Sequence, residues 1–311
     1  MARHQSQCFC HYARDSQGGA MIQSLNWRFW FWALAVLLLA TTLFHPIWER
    51  EQKINRFVFV FDITQSMNTR DYHVEGLPSD RLSYAKTALK QAILALPCGS
   101  QVGLGIFTHK NTQLLLHPIE VCQHMPAIVN ALSQIDWRSA WAADSYIAYG
   151  LFSGLRQLKK LDAQLVFFTD GQQVPETALE PHYRSSTGKT SGLIVGVGKL
   201  HPSPIPKLDL NNQMLGFWQQ SDLPETAISA RYHPHIKQLQ SNQWLTSSLE
   251  ETHLKSLAVM TGMDYHRLQA PKQLAENLLQ LEPSVTSMIK KDLRPYAALV
   301  AFLLLIAAFV V

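Results

Sequence analysis

The chain has 311 residues, 47% of them hydrophobic and 16% charged, and its 27 basic and 23 acidic side chains leave a net charge of +4. That length can bury a core in one large or two small domains. An even charge balance with no basic block argues against a nucleic-acid partner.

Residues 1–26 read as a polar tail without periodicity, in which Met21 is an alternative start. Its His4, Cys8, Cys10 and His11 have zinc-ligand chemistry, but their spacing matches no familiar zinc finger. From Phe29 to Phe44 the chain is almost purely apolar, opened by Trp27 and closed by Pro46 and Trp48. With the tryptophans as interfacial anchors, residues 27–48 are predicted to be a transmembrane anchor. No A-x-A-like site follows, which argues against a cleaved signal.

Phe57 to Phe61 are five consecutive apolar residues, the pattern of a strand covered on both faces. The run breaks into Asp62, Thr64 and Ser66, one carboxylate and two hydroxyls at the carboxyl end of a buried strand. Open α/β sheets place their ligands at that edge. Small hard oxygen donors suit a divalent cation, Mg2+ first, with Ca2+ and Mn2+ as alternatives.

A helix is predicted over Leu82–Leu96, capped by Ser79 or Asp80. Apolar runs at 102–107 and 112–117, around His109, Lys110 and Asn111, predict a hairpin. The register that sets Thr108 opposite Thr112 also carries Cys98 opposite Cys122. A disulfide across the hairpin base is therefore expected, worth about 2–4 kcal/mol and pointing to an oxidising compartment. Two separate buried thiols are the alternative.

Further helices are read at 125–135 and 147–158, and strands at 165–169, closed by Asp170 and Gly171, and at 193–198. A helix over Leu254–Ala258 capped by Gly262, a strand at 264–268 and a helix ending near Leu281 complete the alternation. Such alternation predicts a doubly wound, mainly parallel Rossmann-like sheet over residues 55–285 with an antiparallel edge hairpin. Residues 199–245 depart from it and read as a loop-rich insertion, either plain surface or a partner-binding arm. The final apolar run makes 294–311 the second predicted transmembrane helix.

Three loops converge in this layout: Asp62-x-Thr64-x-Ser66, Asp144-Ser145 before a helix, and Asp170-Gly171 after a strand. Together they resemble the von Willebrand factor A domain, whose metal-ion-dependent adhesion site combines a D-x-S-x-S loop, a threonine before a helix and an aspartate after a central strand. The resemblance runs from about Phe57 to Leu281 and includes Arg81–Lys86 and the LIVGVG strand. It implies that Thr64, Ser66 and Ser145 are hydroxyl ligands and that Asp62 and Asp170 hold metal-bound water. Thr64 stands where serine is usual and Ser145 where threonine is usual, and both swaps keep a hydroxyl.

With an apolar run on each side, the chain is similar to bacterial membrane-anchored members encoded beside MoxR-type ATPases and in methanol-oxidation clusters. That similarity implies a non-enzymatic role in assembly or metal loading of a periplasmic methanol dehydrogenase, with a protein carboxylate bound at the cation. A bacterial inner-membrane location with the domain in the periplasm is expected. The charges flanking the first apolar run favour it, while Lys290, Lys291 and Arg294 point the other way.

Trp137, Arg138 and Trp141 are candidate partner contacts, with core packing the ordinary fate of the tryptophans. Two other readings compete with the binding module. A metal-independent scaffold would leave the site empty, and a haloacid dehalogenase-like phosphohydrolase would want a second aspartate at Thr64.

Overall fold

In a computed structural model, the structure describes residues 18–174, 181–183, 192–222, 244–283 and 285–310. His4, Cys8, Cys10 and His11 lie outside the described residues, as do 223–243 of the insertion. In chain order the helices are α1 (Gly18–Leu43), α2 (Arg81–Ala95), α3 (Val121–Gln134), α4 (Ile147–Leu158), α5 (Glu251–Thr261), α6 (Pro271–Gln280) and α7 (Arg294–Val310). The strands are β1 (Ile47–Ile54), β2 (Arg56–Asp62), β3 (Gln101–Thr108), β4 (Asn111–Glu120), β5 (Gln164–Thr169) and β6 (Gly192–Gly196). They continue with β7 (Ser203–Pro204), β8 (Pro206–Leu208), β9 (Met214–Phe217), β10 (Thr246–Ser247), β11 (Asp264–Arg267) and β12 (Val285–Asp292). The chain divides into two units, residues 53–287 and the paired ends 1–52 with 288–311.

The larger unit is built on a six-stranded sheet of order β11-β6-β5-β2-β3-β4. Its strands are parallel except for β4, which runs antiparallel to β3. β2 is interior, flanked by β3 and β5, so its apolar run feeds both faces. Phe57, Phe59 and Phe61 pack with Leu82, Ala85 and Leu89 of α2, Ile128 of α3 and Leu274 of α6. Val58 and Val60 turn the other way, onto Ile147, Leu151 and Leu155 of α4 and Leu254 and Leu257 of α5. A strand residue alternates faces, so one five-residue run anchors two cores.

Local signals act as read. Asp80 caps α2 by accepting from Ser83 N at 2.8 Å, and Gly262 ends α5 in the left-handed region at φ 74°. The edge hairpin is tighter than expected. Thr108 pairs with Asn111 and Phe107 with Thr112, and two irregularities then carry the register to Gln101 opposite Glu120. The Thr108–Thr112 register is therefore corrected by one residue at the turn. Cys98 and Cys122 are nonetheless bonded, with Cα atoms 5.3 Å apart.

The insertion holds two small antiparallel pairs, β8 with β9 and β7 with β10.

In the second unit, β1 pairs with β12, and α1 meets α7, with the Trp32 and Phe309 rings edge-to-face at 5.6 Å. The expected transmembrane spans are not supported: among the described residues no helix is long and apolar enough to cross a membrane. α1 stops at Leu43, and the chain breaks at His45 (φ 48°) and Pro46. Its apolar stretch from Phe29 therefore covers about 22 Å, short of the roughly 30 Å hydrocarbon layer. Trp48, read as the outer anchor of that span, lies in β1. α7 has 17 residues, which is again short. The strand pairing of 47–54 with 285–292 was not legible, since IWEREQKI carries mostly exposed polar side chains and is held by backbone pairing.

Candidate metal-binding site

β2 delivers Asp62 to the carboxyl edge of the sheet, next to the ends of β3 and β5. Ile63 N bonds Phe107 O at 3.1 Å, while Thr169 at the end of β5 donates from Oγ1 to Asp62 Oδ2 at 2.7 Å. Asp62 Oδ1 accepts from Thr64 N at 3.0 Å and from Thr64 Oγ1 at 2.7 Å. Thr64 Oγ1 lies 3.3 Å from Ser66 Oγ, and all three residues of this loop are buried.

The Ser145 loop is fixed to the same edge through β3. His109 N donates to Asp144 O at 2.9 Å and Tyr146 N to His109 O at 2.8 Å, while Ser145 N and O both bond Val174. Only the Ser145 hydroxyl is left over. It is buried, and among the described residues Oγ has no hydrogen-bond partner, which costs about 1–3 kcal/mol for a polar group that nothing satisfies.

Asp170 completes the ring with a different electrostatic setting. Its Oδ2 accepts from Arg81 Nη1 at 2.8 Å and from Ser247 Oγ at 3.0 Å, and its Oδ1 from Gln172 N at 3.0 Å. Arg81 is fully buried and also forks to Asp71 Oδ2, from Nε at 3.0 Å and Nη2 at 2.7 Å. Asp62 has no such cation among the described residues. Burial first, and then the charge of Asp170, push its carboxyl up to about 7, against the hydrogen bonds from Thr169 and Thr64.

This setting fits a divalent cation. Asp62 is the carboxylate whose charge lacks compensation, Ser145 Oγ is an unpartnered buried donor oxygen, and Thr64 and Ser66 add two more hard oxygens. A cation here would be held by Asp62, Thr64, Ser66 and Ser145, and it would supply an electrophilic coordination position for an anionic partner group. Asp170, engaged with Arg81, would act through water and through its field.

All five residues read from the sequence therefore belong to one edge. The structural role of Arg81 was missed. The available signal was an arginine on the same helical face as Leu82, Ala85 and Leu89, in a position where a solvated side chain has no place. Of the candidate partner contacts, Trp137 and Arg138 face the insertion. Trp137 Nε1 donates to Asn212 Oδ1 and Arg138 Nη1 to Leu210 O, both at 2.6 Å, while Trp141 stays exposed.

Residues 57–173 match the model of the von Willebrand factor type A domain family. No curated protein matches the chain. Among solved structures, an aerotolerance-related membrane protein from Bacteroides fragilis aligns at 15% identity and a TM-score of 0.50, covering 73% of this chain and 98% of its own. BatB from Bacteroides thetaiotaomicron aligns at 16% identity and a TM-score of 0.47 with the same coverages. The family match over residues 57–173, within a mostly parallel sheet of this order, supports a von Willebrand factor type A domain in this chain.

Proposed function

We propose that this chain is a membrane-associated binding module that captures a protein partner by a carboxylate, through a divalent cation held among Asp62, Thr64, Ser66, Ser145 and Asp170. The observation that carries this reading is the asymmetry of the two buried carboxylates. Arg81 compensates Asp170, while among the described residues Asp62 has hydroxyl and amide donors alone, beside a Ser145 hydroxyl without a partner. Mg2+ is the first choice of ion, with Ca2+ and Mn2+ as alternatives. The role is binding rather than catalysis, because Thr64 occupies the position where a phosphohydrolase of this layout needs its acid–base aspartate.

Membrane association is supported by the two-helix unit, in which Phe29, Trp30, Leu37, Phe302, Leu303 and Ile306 are all exposed. The Cys98–Cys122 disulfide supports placing the α/β domain in the bacterial periplasm, at the inner membrane. The narrower partner class, a MoxR-type ATPase system or a periplasmic enzyme such as methanol dehydrogenase during assembly or metal loading, is proposed from the family resemblance.

A second reading, a metal-independent scaffold, is favoured by one observation: Asp170 is already fully engaged by Arg81, Ser247 and Gln172. Capture of partner by the detergent-solubilised full chain, with magnesium and then with chelator, separates the two. Release by chelator, lost in Asp62→Ala, is expected. Capture and cation binding unchanged by Asp62→Ala would leave the scaffold.

A further inference from the structure

A second set of metal-ligand groups sits at the base of the edge hairpin, at the opposite end of the sheet from Asp62. Asp62 pairs with Phe107 and Arg56 with Gln101, so at about 3.3 Å per residue the two ends lie roughly 20 Å apart. At this base a carboxylate oxygen of Glu120 and the two sulfurs of Cys98 and Cys122 all lie within 4.8 Å of one another.

Glu120 is pinned in place. Its Oε1 accepts from Gly99 N at 2.7 Å and its Oε2 from Gln123 N at 2.6 Å, the Cys122 amide donates to the same carboxylate, and one of its four lone-pair sites stays open. Partial burial works against ionisation, but these amide donors and the nearby charge of His124 hold the carboxyl below its usual range, so it is an anion. His124 follows Cys122 by two residues, at a kink where the backbone leaves helical geometry (φ −120°, ψ 17°). Both cysteines are exposed, so an external thiol can reach the bond.

We propose that this corner is a redox-gated zinc site, closed while Cys98 and Cys122 are bonded and opened when they are reduced. A thioredoxin-type dithiol passes two electrons and two protons to the Cys98–Cys122 bond. That bond breaks to two thiols, and the reductant leaves as its own disulfide. Zn2+ then displaces both thiol protons to solvent and takes two thiolates and the Glu120 carboxylate, with water in the fourth position. Zinc–sulfur bonds of about 2.3 Å set tetrahedral thiolates roughly 3.8 Å apart. The Pro97–Ser100 turn, with Gly99 at φ 95°, is the hinge that absorbs that separation.

The test uses the full chain in a Cys8→Ser, Cys10→Ser background, so that the tail thiols contribute nothing. Cobalt stands in for zinc, because thiolate-to-cobalt charge transfer reports sulfur ligation and a cation bound among hydroxyls and carboxylates does not. The protein reduced with a phosphine is expected to develop this band with one equivalent of cobalt, to lose it to zinc, and to show none when oxidised. Glu120→Gln should weaken cobalt affinity at least tenfold, and Cys122→Ser should abolish the band. Zinc should also raise the thermal midpoint of the reduced protein beyond any rise it gives the oxidised one. A reduced protein with no band, an affinity unchanged in Glu120→Gln, or a reduced protein whose midpoint ignores zinc would each overturn the proposal.

Discussion

Arg81 Nη1 donates to Asp170 Oδ2 over 2.8 Å, with both side chains fully shielded from solvent. The same guanidinium forks to Asp71 and reaches Ser247 Oγ at 2.7 Å and Ser247 O at 3.1 Å. One buried cation therefore ties the loop after β2, the turn after β5 and strand β10 together. It also sets the two carboxylates at the sheet edge apart: Asp170 is neutralised by Arg81, and among the described residues no such ion pair reaches Asp62.

Removing that cation should be costly. Arg81→Met strands two buried carboxylates, and breaking one side of a buried ion pair destabilises by about 3–5 kcal/mol. Urea unfolding of Arg81→Met against the parent checks this, and a loss below about 1 kcal/mol would mean that the pair behaves as if it were exposed. Arg81→Lys keeps the charge but loses the fork to Asp71, so its loss should be smaller.

Asp62 predicts a pH dependence of the metal-free protein. Its carboxyl titrates near 3.8 when unfolded and at about 7 when folded, so between those values the folded state binds more protons than the unfolded. Stability from this group is fully present below about pH 4, falls as pH rises, and is lost above about pH 7. Asp62→Asn should flatten that slope, as measured by chemical denaturation in chelator from pH 4 to 8. Magnesium should stabilise the parent more at pH 8 than at pH 5.5, because at the lower pH it competes with the proton on Asp62. A metal-free parent that gains stability across that range relative to Asp62→Asn would refute the assignment.

How far the sequence reached is visible at particular residues. Phe57–Phe61 carried its own signal because a five-residue apolar run can be satisfied only by two covers, and both are present. The placing of Asp62, Thr64, Ser66 and Asp170 at one sheet edge was legible because they follow strand ends, and that of Ser145 came from the family resemblance. The hairpin register was not, since two irregularities between Val102 and Gly105 leave no mark in composition. β1 and β12 were missed because polar strands joined by backbone bonds carry no hydrophobic period, and the partners of Arg81 were hidden because they lie 10, 89 and 166 residues away.

The disulfide should contribute independently of the cation site. It closes a sequence separation of 24 residues, for which loop closure gives about 3 kcal/mol. Cys98→Ser with Cys122→Ser, unfolded in urea beside the oxidised parent, should show a loss of that order while the magnesium response through Asp62 is unchanged. A loss of that response would mean that the two ends of the sheet are coupled.

Gly198 offers a test of the Arg81 network without touching a charge. It sits at φ 122°, where a Cβ would lie 2.6 Å from Arg81 Nε, and its N–H donates to Tyr72 Oη at 2.9 Å. Gly198→Ala combines backbone strain with a collision against a guanidinium held on both sides, a cost of about 1–3 kcal/mol for the strain alone. Thermal unfolding measures it, and the same change at Gly76, which is also left-handed but open within 4 Å, should cost less.

Ser145→Ala separates the cation model from a purely structural edge. Ser145 Oγ is buried with no partner among the described residues, so in chelator its removal should leave stability unchanged or raise it by about 1–3 kcal/mol. If the hydroxyl serves a cation, the same variant should lose most of the stabilisation that magnesium gives the parent at pH 8, and partner capture should weaken with it. Isothermal titration with magnesium and denaturation in chelator read the two effects separately. A variant less stable in chelator would show that the hydroxyl has a partner in the metal-free protein, and an unaltered magnesium response would remove Ser145 from the ligand set.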